Sequence, residues 1–261
     1  MSNSFFKFSI FFIFSIGIYV NTNAQAKKRK LVWADEFNYK GLPNDKKWGY
    51  DVGNGCPKIC GWGNNELEIY TSKDSATAKV ENGFLIITAS KNSPEKNTYN
   101  SARIVSRNKA HFKYGRMECR AKLPTTKGTW PAFWMLGANI DSVNWPKCGE
   151  IDIMEHKGND LNKIFATLHY PERFGENAHG DTSRIPDVSK FHIYAVEWNE
   201  KSIAFSVDGK QIHQVDNSDK LPFNHDFYII LNLAIGGNFA GAVDDKLVKE
   251  TMEVDYVRVY Q

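Results

Sequence analysis

Residues 149–156, GEIDIMEH, decide how this chain reads. Three carboxylates, Glu150, Asp152 and Glu155, are interleaved there with Ile151, Ile153 and Met154. The acidic/apolar alternation from Glu150 to Ile153 has the period of a β-strand, in which side chains at i and i+2 share a face. Glu150 and Asp152 therefore lie on one face, while Ile151 and Ile153 point into a core. Continued alternation would bury Glu155, and an unpaired buried carboxylate is too costly to accept. One extra residue, a β-bulge at Ile153 and Met154, returns Glu155 to the acidic face. Strand rise then sets the Glu150 and Glu155 Cα atoms about 12–14 Å apart. Two glutamates leaning inward can bring their carboxyls to roughly 5–5.5 Å.

Taken alone, the stretch admits three readings. Antiparallel strands commonly alternate apolar inside and charged outside, so a solvated strand face is the first. A calcium loop is the second, although such loops supply carbonyls and a glycine-bearing turn that this run lacks. The third is a catalytic pair, one carboxyl ionised and one protonated, opening a glycosidic bond with retention of configuration. Clustered like charges raise the pKa of at least one member, which keeps an acid protonated near neutral pH. The surroundings favour the third.

Residues 129–136 (TWPAFWML) alternate so that Trp130, Ala132 and Trp134 share one face and Pro131, Phe133 and Met135 the other. Two tryptophans on a strand face more often belong to a core than to a ligand site. Sequential strands usually pair, however, which sets this Trp row beside the carboxylates, where it can stack on pyranose rings. Residues 61–71 (GWGNNELEIYT) combine Trp62, Asn64, Asn65, Glu66 and Tyr70. They read either as a loop offering a sugar an aromatic face and amide groups, or as an ordinary turn rich in Asn. Other strands are predicted at 31–37, 81–89, 102–106, 111–123, 165–170, 191–198, 202–207, 227–234 and 252–260, with loop over 38–55. Asn82-Gly83 and Asp208-Gly209 mark turns, the latter a hairpin. No amphipathic helix longer than two turns is evident. Many short strands with Gly, Asn and Pro turns indicate an all-β chain, a sandwich or jelly roll.

The 261 residues, 42% hydrophobic, suit one well-packed domain. A formal charge of +3 and the lack of a long basic block argue against nucleic acid as a partner. No P-loop, dinucleotide fingerprint, HEXXH or complete Ser/His/Asp arrangement is present. Residues 10–20 (IFFIFSIGIYV) follow Lys7 and precede Asn21-Thr22-Asn23-Ala24, the pattern of a secretory signal peptide over residues 1–24. The mature domain would then span 25–261, secreted or periplasmic, with no membrane association after cleavage. An uncleaved anchor is the weaker alternative, since a span needs roughly 20 apolar residues. Four cysteines permit three pairings in an exported chain. Cys56 and Cys60, close in a Gly-rich loop, are expected to bridge. Cys119 and Cys148 lie in strand contexts and could equally be buried thiols. A CxxxC zinc half-site has no second pair to complete it.

GEIDIMEH closely resembles the signature of glycoside hydrolase family 16 in its bulged form, Glu-x-Asp-x-x-Glu, as in laminarinases. GTWPAFWML and GWGNNELEIYT resemble the same branch, and the likeness runs from about Leu31 to the C-terminus. It implies a concanavalin-like jelly-roll β-sandwich with a concave sugar cleft. It also implies a monomeric endo-β-1,3-glucanase acting on laminarin-like glucans, with mixed-linkage glucan as a further substrate and no cofactor needed for catalysis. Glu150 is implied as nucleophile, Glu155 as general acid/base, and Asp152 as the residue orienting the nucleophile. Asn65 and Arg103 match positions that contact sugar hydroxyls, and His169 matches a histidine near the acid/base. A structural calcium is implied away from the cleft, through the Asp255 carboxylate and carbonyls near Gly83 and Glu36. Agarases and carrageenases share the bulged motif, and a glucan-binding lectin on the same fold is the non-enzymatic alternative.

Overall fold

The computed structural model of the protein describes Met1 and residues 29–92 and 98–261. Apart from Met1, the expected signal peptide lies outside the described residues. Among the described residues, no helix is long and apolar enough to cross a membrane.

The chain begins with β1 (Leu31–Asp35), β2 (Gly49–Asp51), β3 (Glu68–Tyr70), β4 (Ala78–Glu81) and β5 (Phe84–Lys91). It continues through β6 (Tyr99–Ser101), β7 (Arg103–Val105), β8 (Gly115–Lys122) and β9 (Thr129–Gly137) to the single turn α1 (Ile140–Val143). Next come β10 (Glu150–His156), β11 (Lys163–His169), β12 (His179–Arg184), β13 (His192–Trp198), β14 (Ser202–Val207) and β15 (Lys210–Asp216). The chain ends with β16 (Phe227–Ile235), the short α2 (Gly237–Ala240) and β17 (Lys249–Tyr260). One sheet runs β15-β14-β13-β8-β17-β5-β6-β3, with β1 on β17 and β4 on β5. The other runs β12-β11-β10-β9-β16-β7-β2. The fold is an open jelly-roll β-sandwich, as the strand pattern predicts.

Between the sheets the inward rows meet. Ile151, Phe133 and Leu231 of the second sheet join Met117, Val196 and Val257 of the first in one buried cluster. Because strand side chains alternate, the same strands must present their other row outward. Part of that outer face carries its own small apolar cluster, Val105, Leu136, Cys148, Tyr228 and Ile230, with Trp134 packed against it. It accounts for Cys148, which like Cys119 is a buried free thiol. Cys56 and Cys60 form the expected disulfide. Asn82-Gly83 and Asp208-Gly209 both have positive φ at each residue, the conformation of a tight hairpin turn.

Among the strands that the sequence expectation omits, three are made by their partners. β2 lies in the stretch expected to be loop and pairs with β7, opposing Asp51 to Arg103. β3 lies within the Asn-rich stretch and pairs in parallel with β6. β12 (HGDTSR) has no apolar alternation at all, and adds to the sheet edge on β11. Pairing of this kind leaves no periodic trace in the sequence.

Candidate active site

The site is built on the outer face where β11, β10, β9, β16 and β7 lie side by side. On β10 the register against β9 runs Asp152 with Trp134, then Met154 with Phe133, so Ile153 is the extra residue. The bulge sits where the cost of burying Glu155 requires it. Ile153 and Met154 are both buried in the core, and Glu155 returns to the face of Glu150 and Asp152. Gly149 enters this strand with φ +73, and a Cβ there would meet the Pro222 carbonyl oxygen at 2.6 Å. Glycine is therefore required immediately before Glu150.

Glu150 and Glu155 each have their own donor. Glu150 Oε2 accepts from Trp145 Nε1 at 3.0 Å, and Glu155 Oε1 accepts from Trp130 Nε1 at 3.0 Å. Asp152, 3% exposed, has Oδ2 at 3.2 Å from His169 Nε2, which also lies 3.8 Å from Glu150 Oε1. In its neutral form His169 accepts the Gly175 N–H at Nδ1, at 3.2 Å, which leaves the ring hydrogen on Nε2. Nε2 therefore carries a hydrogen towards Asp152 whether the ring is neutral or charged. Burial pulls the imidazole pKa down, but hydrogen bonding to Asp152 and the nearby acids outweigh it and push it up to about 9. The histidine thus stands over Asp152 and Glu150, where the resemblance had implied a place near the acid/base.

Glu150 and Glu155 are both pushed up from 4.5 to about 8, first by burial and second by the charge of Asp152. The three acids cannot all ionise together, so a proton is retained among them. The neighbours differ between the two glutamates. The Arg103 charge favours the anion at Glu150, and the Trp145 indole adds to it. Glu155 has the Trp130 indole and the more general field of His169. The charge of His169 favours the anion at both glutamates, and that of Arg103 is added at Glu150.

Trp130 and Trp134 stand on the outer face, both partly exposed, so the Trp row lies outside the core between the sheets. Trp134 donates to Asn232 Oδ1 at 2.7 Å, and Asn232 donates to Tyr70 Oη at 3.0 Å. Arg103 is sandwiched between Trp62 and Trp134, 4.6 and 4.7 Å from their ring centroids, with Nε 2.9 Å from Asp51. Asn65 is exposed at φ +57 and donates to Asn238 Oδ1 at 2.9 Å. On the acid side, Phe239 lies 4.9 Å from both Trp130 and Phe165, extending the aromatic wall.

Sequence reasoning missed Trp145, Asn232 and Phe239. Asn232 had a usable signal, a lone amide inside the apolar run FYIILNLA, since a buried polar group needs partners. Trp145 and Phe239 lie in irregular segments that no periodicity addresses.

Two residues of the expected calcium set, Asp255 and Glu36, have arginine partners. Asp255, the one carboxylate of the set, has Oδ2 2.6 Å from Arg120 Nη1, and the Glu36 carboxylate is held by Arg258 through two bonds of 2.8 Å. A hard cation at Asp255 would compete with Arg120 for that carboxylate, whereas the ligands expected at Glu36 and Gly83 are main-chain carbonyls. The group among the described residues with metal-like spacing is Glu150, Asp152 and His169, inside the cleft.

Residues 63–258 match the family model described as glycosyl hydrolases family 16. The chain belongs to glycosyl hydrolase family 16. Within the family it is 41% identical to a beta-glucanase of Rhodothermus marinus over 249 residues, which is 89% of this chain and 85% of that protein. It is 37% identical to a glucan endo-1,3-beta-glucosidase of Cryptopygus antarcticus over 254 residues, 87% of this chain and 90% of the other. The crystal structure of a laminarinase from Flavobacterium sp. UMI-01 superposes with a TM-score of 0.83 at 44% identity. It covers 89% of this chain and 100% of its own.

Proposed function

We propose that the protein is an endo-acting, retaining β-glucanase that cleaves β-1,3-glucosidic bonds in laminarin-like glucans. The observation that carries this is the bulge on β10. It gathers Glu150 and Glu155 on one face beside two tryptophans, each carboxyl held by a separate indole N–H. The β-glucanase and endo-1,3-β-glucosidase relatives support the choice of substrate.

In the first step the Glu150 carboxylate attacks the anomeric carbon, and Glu155 passes its proton to the leaving glycosidic oxygen. Asp152, in line with Glu150 on the strand and tied to His169, holds the nucleophile's surroundings fixed and negative. In the second step the Glu155 carboxylate takes a proton from water, the oxygen attacks the anomeric carbon, and Glu150 departs as a carboxylate. Both steps move bonds and protons among side chains, sugar and water, and call for no cofactor. Asn65 and Arg103 serve sugar hydroxyls, and the Trp rings stack on pyranose faces.

The same proposal takes residues 1–24 as a cleaved signal peptide. Residues 25–261 then form a monomeric, secreted or periplasmic catalytic domain, and mixed-linkage β-1,3-1,4-glucan is a secondary substrate. An agarase or carrageenase needs a cleft adapted to anhydro or sulfated sugars, whereas the cleft cation Arg103 is already paired with Asp51. A lectin would have no use for two indole-bonded glutamates at this spacing. Reducing-sugar release from laminarin, lichenan and agarose tests the reading, with NMR of the first-formed anomer. Release from laminarin as the β-anomer is the expected result. An initial α-anomer would overturn retention, and release from agarose alone would overturn the substrate.

A further inference from the structure

A second pair of acids lies behind the Asn-rich loop, and the reaction does not use it. Glu68, on β3, is 0% exposed and its Oε2 accepts the Ile235 N–H at 2.8 Å. Its Oε1 is buried and meets no donor. The acid that acts on it is Glu66, whose Oε1 accepts from Asn64 Nδ2 at 3.0 Å. Two ionised carboxylates are acceptors only, and side by side in a buried site they repel without a bond between them. A single proton placed between the two removes one charge and gives Glu68 Oε1 its missing partner.

We propose that Glu66 and Glu68 share one proton, and that this hydrogen bond latches the loop of residues 61–65 against residues 236–238, making Glu68 a positioning residue for sugar binding. The latch has a great deal to hold. Leu67 N–H donates to Ile235 O at 3.0 Å, and Asn238 N–H donates to Asn64 O at 2.7 Å. Asn65 reaches Asn238 by its side chain at 2.9 Å. Gly237 packs so closely that a Cβ would sit 2.8 Å from Asn64 O and 3.2 Å from Glu66 Cγ. Trp62 lies on the same loop, 5.4 Å from Tyr70 and stacked on Arg103.

The groups facing the pair cannot replace the proton. Arg103 on β7 is the cation that reaches Glu66, and it is already committed to Asp51. On β3, Tyr70 Oη accepts from Asn232, and no hydrogen bond joins its hydroxyl to Glu68 Oε1. β6 sets Tyr99 opposite Glu68 in register, and the 235–237 segment offers only main-chain groups. Burial is the main cause raising both acids, and the charge of Glu66 pushes Glu68 well above the ordinary carboxylate range. When the proton leaves, Glu68 is held in its strand, so repulsion is relieved by Glu66 moving out, and the loop with Trp62, Asn64 and Asn65 goes with it.

The test uses the full chain on laminarin, with KM and kcat measured from about pH 5 to about pH 9, above the range of an ordinary carboxyl. In wild type, KM should rise at least about tenfold on the alkaline side, the equivalent of one charge-assisted hydrogen bond lost. In Glu68→Gln the amide keeps the bond without titrating, so KM should stay flat, while kcat falls with pH in both proteins. The melting temperature gives a reading independent of activity. A carboxyl raised in the folded state stabilises fully below its unfolded pKa and loses that contribution as pH rises through the folded pKa. Wild type should therefore lose more melting temperature on alkalinisation than Glu68→Gln. Glu66→Gln tests the same bond should the first variant fail to fold. Parallel KM and melting profiles in wild type and both variants would overturn the latch. The KM arm rests on the glucanase reading. If wild type released no sugar from laminarin, that reading would fail, and the melting profiles would still decide the latch.

Discussion

The protein holds two clusters of acids, the triad of Glu150, Asp152 and Glu155 on β10 and the pair of Glu66 and Glu68 behind the loop. Burial raises the pKa of Glu150 and Glu155 in the first cluster and of both acids in the second. They differ in access and in donors. The Glu150 side chain is 17% exposed to the cleft, and Glu150 and Glu155 have separate indole donors. Glu68 is wholly buried, its Oε1 has no donor, and the charge of Glu66 acts on it. A raised carboxyl becomes an acid catalyst only where it can hand its proton to something outside. Where it cannot, the same shift makes a bond that holds the structure.

The comparison breaks most sharply at Glu150. Glu150→Gln should lower kcat on laminarin by at least about 10⁴-fold, because the amide cannot attack the anomeric carbon. The fold and glucan binding should survive, as calorimetric titration with a glucan oligosaccharide would show. Removal of the acid should have a smaller, conditional effect. Glu155→Gln should lose about 10²–10⁴-fold on laminarin, but much less on an aryl glucoside whose leaving group needs no proton. Added azide should restore its turnover by attacking the glycosyl-enzyme. Absence of azide rescue would assign Glu155 another role.

His169→Gln should follow, with about a tenfold loss in kcat and an altered acid limb of the pH–rate profile, since Asp152 loses its Nε2–H donor. An unchanged profile would reduce His169 to packing.

The pH dependence of stability sharpens the contrast further. Glu150 and Glu155 are raised from 4.5 to about 8 in the folded state, so their contribution is fully present below about pH 4.5 and is lost as pH rises through about 8. Glu155→Gln should therefore melt higher than wild type near pH 8 and lose that advantage near pH 5. The smallest effect is expected at the loop edge. Replacing Cys56 and Cys60 by Ser should cost about 2 kcal/mol or less, because so short a loop restricts the unfolded chain little.

Legibility followed the source of each constraint. GEIDIMEH declared its bulge because period-2 alternation and the cost of burying Glu155 conflict at one residue, and a local conflict has a local solution. The Trp row, the hairpin turns, the Cys56–Cys60 bridge and the all-β class were readable for the same reason, since each depends on neighbours in the chain. Strands β2, β3 and β12 were hidden because their partners, not their side-chain pattern, make them strands. The motif's resemblance implies which acid keeps its proton, but not what surrounds each one. That depends on Trp145 reaching Glu150, on Trp130 reaching Glu155, and on Arg103 arriving from β7. Glu66 and Glu68 look from their spacing like the polar side of an ordinary strand. Only the arrival of Ile235 and Gly237 over them takes water away, and without water two neighbouring carboxyls must share what charge the site can hold. The sequence determined which groups the protein has and which face of a strand they occupy. The tertiary structure decided their protonation, because that depends on solvent access and on charges brought from distant parts of the chain.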